Sequence, residues 1–247
     1  AAQAAYDALT AEQKQLVNSE KVAALNAAVA KLAELKRVKL LAEMGDIYAS
    51  VGESLQAQVN KSAPIVGSIG GEWLALGLAR SGRSVPAGYY DNVVQYVKAN
   101  VKANERLHNS KSTDNSRVIL ALTAIGKDPT NVGGHNLLKG LDSMSYINKQ
   151  GINGPVFALI ALDSHNYPTF GEVTRDVLID RILSEQVKAD GGWALGGADE
   201  EASDVDVTAM TIQALAPYYK TNAKVKTAVD KGLTWLSEHQ EEDGGFA

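Results

Sequence analysis

Residues 72–82 read EWLALGLARSG, and the same apolar pattern returns as SRVILALTAIG at 116–126, NGPVFALIALD at 153–163 and DVTAMTIQALA at 206–216. Four copies along one chain mark a duplicated structural unit. Aligned by column, the fifth place holds Leu76, Leu120, Phe157 and Met210, the sixth Gly77, Ala121, Ala158 and Thr211, and the seventh Leu78, Leu122, Leu159 and Ile212. Large, small, large in register is a packing rule shared by the copies. Each copy opens on a polar residue, Glu72, Ser116, Asn153 or Asp206, and three of these are types favoured as helix N-caps. The expectation is four inner helices that start at one level.

More polar helices lie between the copies. Over Asp91–Lys102, Val93, Val97 and Val101 recur every four residues while Lys98, Asn100 and Lys102 face elsewhere, which predicts an amphipathic helix with one wet face. Similar segments are expected over Asn136–Ile147, over Phe170–Gln186 with Thr169 and Glu172 as a capping box, and over Ala223–Gln240. No run alternates apolar and polar residues long enough to read as a strand, so the class is all-α. Ahead of the repeats, Thr10 with Gln13 forms a capping-box pattern, and Val22, Leu25, Val29 and Leu32 have helical spacing. Residues 1–35 are therefore expected to form a helical hairpin that acts as a spacer, and residues 36–247 the repeat domain.

With 247 residues, 45% hydrophobic and 21% charged, the chain has the composition of an ordinary globular protein. A net charge of -5 without a basic stripe argues against nucleic acid as a partner. No apolar run is long enough to span a membrane, and the first residues lack the layout of a signal peptide. A start at Ala rather than Met suggests an excised piece. Because there is no cysteine, disulfides, thiolate nucleophiles and cysteine-ligated zinc are excluded. His108, His135, His165 and His239 show no metal spacing. No cofactor motif is legible.

A second repeat concerns a turn. ILSEQVKADGGWA at 182–194 aligns without gaps on WLSEHQEEDGGFA at 235–247, the pairs Gly191–Gly192 and Gly244–Gly245 preceding Trp193 and Phe246. The glycines permit positive φ where a helix stops, and the aromatic packs back on the helix end. The run KGLTWLSEHQEEDGGF at 231–246 resembles the glutamine-tryptophan repeat of squalene and hopene cyclases, with Lys231, Gly232, Trp235, Leu236, Gln240, Gly244 and Phe246 in matching places. Phe246 stands where that repeat usually has Trp, and Gln186 falls one residue earlier in its copy than Gln240. The resemblance implies an α/α toroid from about Lys36 onward, as in terpenoid cyclases, protein prenyltransferase β subunits and cobalamin carriers. GKDPTNVGGHNLL, QGINGPVFALIALDS and DGGWAL look, more closely, like the squalene-cyclase-like repeat region of Gram-positive bacterial surface proteins. That likeness implies an extracellular or cell-wall location. The starts of the inner copies are unevenly spaced, by 44, 37 and 53 residues, which favours a ring over an open solenoid. About six helix pairs close the family's barrel, so this ring is expected to be incomplete.

SDVDVTAM at 203–210 resembles the acid motif DxDD of the cyclases, with Asp206 in the proton donor's place, Asp204 as a helper and Val207 where the last Asp belongs. An Asp of ordinary pKa, roughly 3.9, needs a strong upward push to act as an acid near neutrality. Without the neighbouring carboxylate, capping by Asp204 or Asp206 is the leading reading. Few aromatics line the copies, so they offer little cation-π stabilisation of a carbocation. The missing Cys removes the prenyltransferase zinc site. Asp199, Glu200, Glu201, Asp204 and Asp206 match no calcium-loop pattern. Asp163, Ser164 and His165 are adjacent along the chain and cannot converge as a triad. The leading expectation is a non-catalytic binding or scaffold module of a secreted bacterial surface protein. Its rim residues, Asp204, Asp206, Asn153 and Trp193, would meet a small molecule, a glycan or neighbouring domains of the parent protein. Two alternatives stand beside it: an enzyme with cyclase-like acid chemistry at Asp206, and a cobalamin carrier.

Overall fold

A computed structural model describes residues 2–59 and 64–246; Ala1, residues 60–63 and Ala247, the last position of the second turn motif, lie outside the described residues. The fold is all-α. Among the described residues the only β pairing is three isolated bridges.

Two compact units divide at Ser54/Leu55. The first contains α1 (Ala2–Asp7), α2 (Ala11–Gln15) and most of α3 (Ser19–Val59). The Thr10–Gln13 capping box is present at the start of α2, with each side chain bonded to the other's backbone amide. Helix α3 runs unbroken through Leu35, for 41 residues. A sequence of Ala, Leu, Lys and Glu without proline sustains such a helix by propensity.

The second unit continues with α4 (Ile69–Arg80), α5 (Tyr89–Asn100), α6 (Ser112–Ala124), α7 (Met144–Ile147), α8 (Asn153–Asp163), α9 (Arg175–Ser184), α10 (Val205–Leu215) and α11 (Ala223–His239). The four repeated segments are α4, α6, α8 and α10, and they pack in that order, each on the next. The row bends. Trp73 of α4 and Phe157 of α8, on either side of α6, bring their rings to 5.7 Å. The sixth and seventh columns explain the close packing: Ala121, Ala158, Thr211, Leu78, Leu122 and Leu159 are almost wholly buried. At Gly77 a Cβ would come 2.5 Å from the end of the Leu55 side chain, which would have to shift to admit a larger member of the small column.

The outer helices are amphipathic, as their spacing requires. α5 buries Tyr89, Val93 and Val97, α9 buries Leu178, Ile179 and Ile182, and α11 buries Val225, Ala228, Val229, Gly232 and Trp235. Two expected features are corrected. The segment 136–147 is not one helix but a 3-10 turn at Leu137–Leu141, capped by Asn136, followed by the single turn α7. The cap of α9 is Thr174, bonded to the Val177 amide, rather than Thr169; Glu172 instead accepts from the Met144 amide 2.9 Å away.

The polar residues that open the four copies do not all mark helix starts. Glu72 is the fourth residue of α4, Ser116 the fifth of α6, Asn153 the first of α8 and Asp206 the second of α10. What the alignment registers is the packing column, which lies a variable distance inside each helix.

Candidate functional site

The most concentrated polar chemistry in the second unit lies where α4, α5 and α6 meet. Glu72 is 1% exposed, and its Oε1 accepts the Gly67 amide at 2.6 Å. Its Oε2 has no hydrogen-bond partner and stands 4.0 Å from Arg117 Nε, while Arg117 Nη2 donates to Asp114 at 2.8 Å. Burial pushes the Glu72 carboxyl above its ordinary range, against the opposing pull of the backbone amides and the guanidinium. Tyr89, 3% exposed and with an unbonded hydroxyl, is pushed up by burial and by the Glu72 charge; Tyr96 is raised by burial and by the charges of Asp114 and Glu72. The start of α6 adds an almost wholly buried polar run, Ser112–Ser116. Within it Asn115 accepts from the Leu107 amide and donates to the Glu105 and Leu137 carbonyls, tying two segments, 105–107 and the 3-10 turn at Leu137, to the helix.

A second polar assembly surrounds Trp193. The indole is fully buried, its Nε1 donating to the Ile182 carbonyl at 3.0 Å and its backbone amide to Thr208 Oγ1 at 2.8 Å. Trp193 is therefore core, out of reach of a ligand on the rim. Nearby Asp190 accepts from the Ser203 amide and hydroxyl and from the Gly192 amide. Burial pushes its carboxyl up, but these bonds outweigh burial and hold it below the usual range. Beside it, Asp190, Lys231, Thr234, Trp235 and Glu238 border a shallow cleft of about 380 Å³.

The turn motif is the same structure twice. Gln186 pairs with Trp193 and Gln240 with Phe246 in matching antiparallel bridges, and Gly191 and Gly244 take φ of +87° and +88°. Gln186 Nε2 donates to the Gly191 carbonyl at 2.7 Å and Gln240 Nε2 to the Gly244 carbonyl at 2.9 Å. The one-residue offset between the two glutamines is absorbed in the turn, which has four residues before the glycine pair in the first copy and three in the second.

The predicted site residues are not brought together as an acid centre. Asp204 is the N-cap of α10, its carboxylate accepting the Val207 amide at 2.8 Å. Asp206 is exposed on the first turn of α10, and Asn153 is half-buried on the first turn of α8. Asp163 is held by Arg175 at 2.7 Å and by the Tyr218 hydroxyl at 2.7 Å, a structural clamp. Among the described residues no three acidic or histidine side chains converge as a metal site, and no helix is long and apolar enough to cross a membrane.

Sequence reasoning placed Glu72 in its column but missed Asp114, Arg117 and Tyr89. The available signal was STDNSR, an unbroken polar run leading directly into an apolar helix. No protein-family model matches the chain, and no curated protein or solved structure is significantly similar to it.

Proposed function

We propose that the chain is a non-catalytic repeat module of the α/α-toroid kind, serving as a binding or scaffold unit in a secreted bacterial surface protein. The observation that carries this reading is the use made of the polar residues. Asp204 caps a helix, Gln186 and Trp193 tie hairpin to hairpin, and Asp163 clamps two helices. Asp206, in the place of the cyclase acid, lies on an exposed turn without a neighbouring carboxylate at position 207. A proton donor to an alkene needs a carboxyl kept neutral by desolvation or by a like charge, and a solvated turn supplies neither. The bend that brings Trp73 to Phe157 supports a toroid-like curvature, and the aliphatic columns fill the space inside it. Its partners are a glycan, another small molecule or neighbouring domains of the parent protein.

The test compares the chain with its Asp206→Asn variant. Incubation with a polyprenyl substrate is expected to give no product with either protein, and the two should unfold within about 0.5 kcal/mol of each other, as for an exposed surface change. Turnover that disappears in the variant would overturn the reading in favour of acid catalysis. A thermal-shift screen with glycans then separates binding unit from pure scaffold.

A further inference from the structure

The two copies of the turn motif differ in one respect: the first is covered and the second is not. Trp193 is fully buried because α10 and α11 close over it; a Cβ on Gly232 would stand 2.7 Å from the indole and 3.2 Å from Ile212. Gln186 reaches past its own turn to donate to the Ala228 carbonyl of α11 at 2.9 Å. Lys231 lies along the turn glycine, its Cβ 3.1 Å from where a Cβ on Gly191 would be. In the second copy Gln240 makes the same bond to its own turn, yet Phe246 is 42% exposed.

We infer that the Gln240–Phe246 face is a docking site for one more helical hairpin of the α10–α11 kind. The first joint specifies the chemistry of this occupant. It has glycine where α11 has Gly232, so that the Phe246 ring can enter, and a main-chain carbonyl one turn earlier for Gln240. It carries a basic residue where α11 has Lys231, which here would face the acidic run Glu241, Glu242 and Asp243. Opposite charge at that point adds direction to a joint whose area is mostly apolar. The inference stands on the repeated joint alone and is independent of the cell-surface role.

The experiment appends a second copy of residues 195–247 directly after Ala247, so that the hairpin is presented at high effective concentration. Phe246→Trp in the full chain, with and without the added hairpin, reports on the joint by the difference in fluorescence from the parent of each. The added hairpin is expected to shift the emission of the introduced indole to the blue and to lower its quenching by acrylamide several-fold. Gly232→Val in the appended copy alone should restore exposure. With Phe246 left in place, a single unfolding transition at a higher midpoint than that of the unextended chain gives an independent reading. An indole that stays exposed beside a folded extension overturns the inference, as does an extension that gains no helix by circular dichroism.

Discussion

The side-chain amide of Gln186 lies 2.9 Å from the main-chain carbonyl of Ala228 and donates to it, joining the turn after α9 to the middle of α11. The same amide also holds its own turn through the Gly191 carbonyl. One residue thus shapes a local loop and fastens it to the next hairpin.

Removing that residue exposes the difference between the two motif copies. Gln186→Ala strips a partner from the carbonyl of the buried Ala228 and is expected to cost about 1–3 kcal/mol. Gln240→Ala, at the exposed copy, should cost no more than about 0.5 kcal/mol. Urea titrations of both variants check the contrast, and equal losses would contradict it.

Gly232 and Trp193 should be energetically coupled. Gly232→Ala drives a methyl against the indole, an overpacking expected to cost about 1–3 kcal/mol. Trp193→Phe shortens the ring and should make room, so the double variant is expected to lose less than the sum of the single losses. A double-mutant cycle measures the term, and strict additivity would show that the two do not press on each other.

Glu72 predicts a pH dependence of definite sign. Its folded pKa is raised above the ordinary 4.5, so the folded state holds the proton more tightly than the unfolded chain. Its contribution to stability is therefore largest below 4.5, declines as pH rises past that value, and levels off above the folded pKa. The stability difference between the parent and Glu72→Gln should fall across this window with rising pH. Unfolding curves for both proteins at several pH values follow it, and a difference independent of pH would remove Glu72 from the account.

Asp190 predicts the opposite slope. Its folded pKa is held below the ordinary 3.8, so its contribution is present above that value and is lost as pH falls through the folded pKa. Asp190→Ala is expected to destabilise by about 1.5–3 kcal/mol near neutrality, the range for hydrogen bonds to a charged group. The gap between parent and variant should close in strong acid, which acid-titration melts would register.

Much of the helical plan was legible in the sequence, but unevenly. Spacing located the helices Tyr89–Asn100 and Ala223–His239 to within two residues at either end, because one buried stripe on a 3.6-residue period is a local property. It failed over 136–147, where neighbours bury Leu137, Leu138, Leu141, Tyr146 and Ile147 regardless of helical phase and the backbone settles into 3-10 turns. The aligned polar residues at 72, 116, 153 and 206 marked a true column, yet their burial runs from nearly complete at Glu72 and Ser116 to exposed at Asp206. Identity at a position says nothing of what covers it.

The sequence by itself determined the all-α class, the fourfold repetition and the turn geometry at the glycine pairs, because helical period and positive φ are set by residues close together in the chain. Only the tertiary structure decided which polar groups are free to act. It buried Trp193 beneath α11, set Arg117 beside Glu72 from 45 positions away, and assigned Asp204 to a cap while leaving Asp206 in solvent. Desolvation and hydrogen-bond partnership depend on what distant segments bring to a side chain, and these fix whether a carboxylate is an acid, a clamp or a cap.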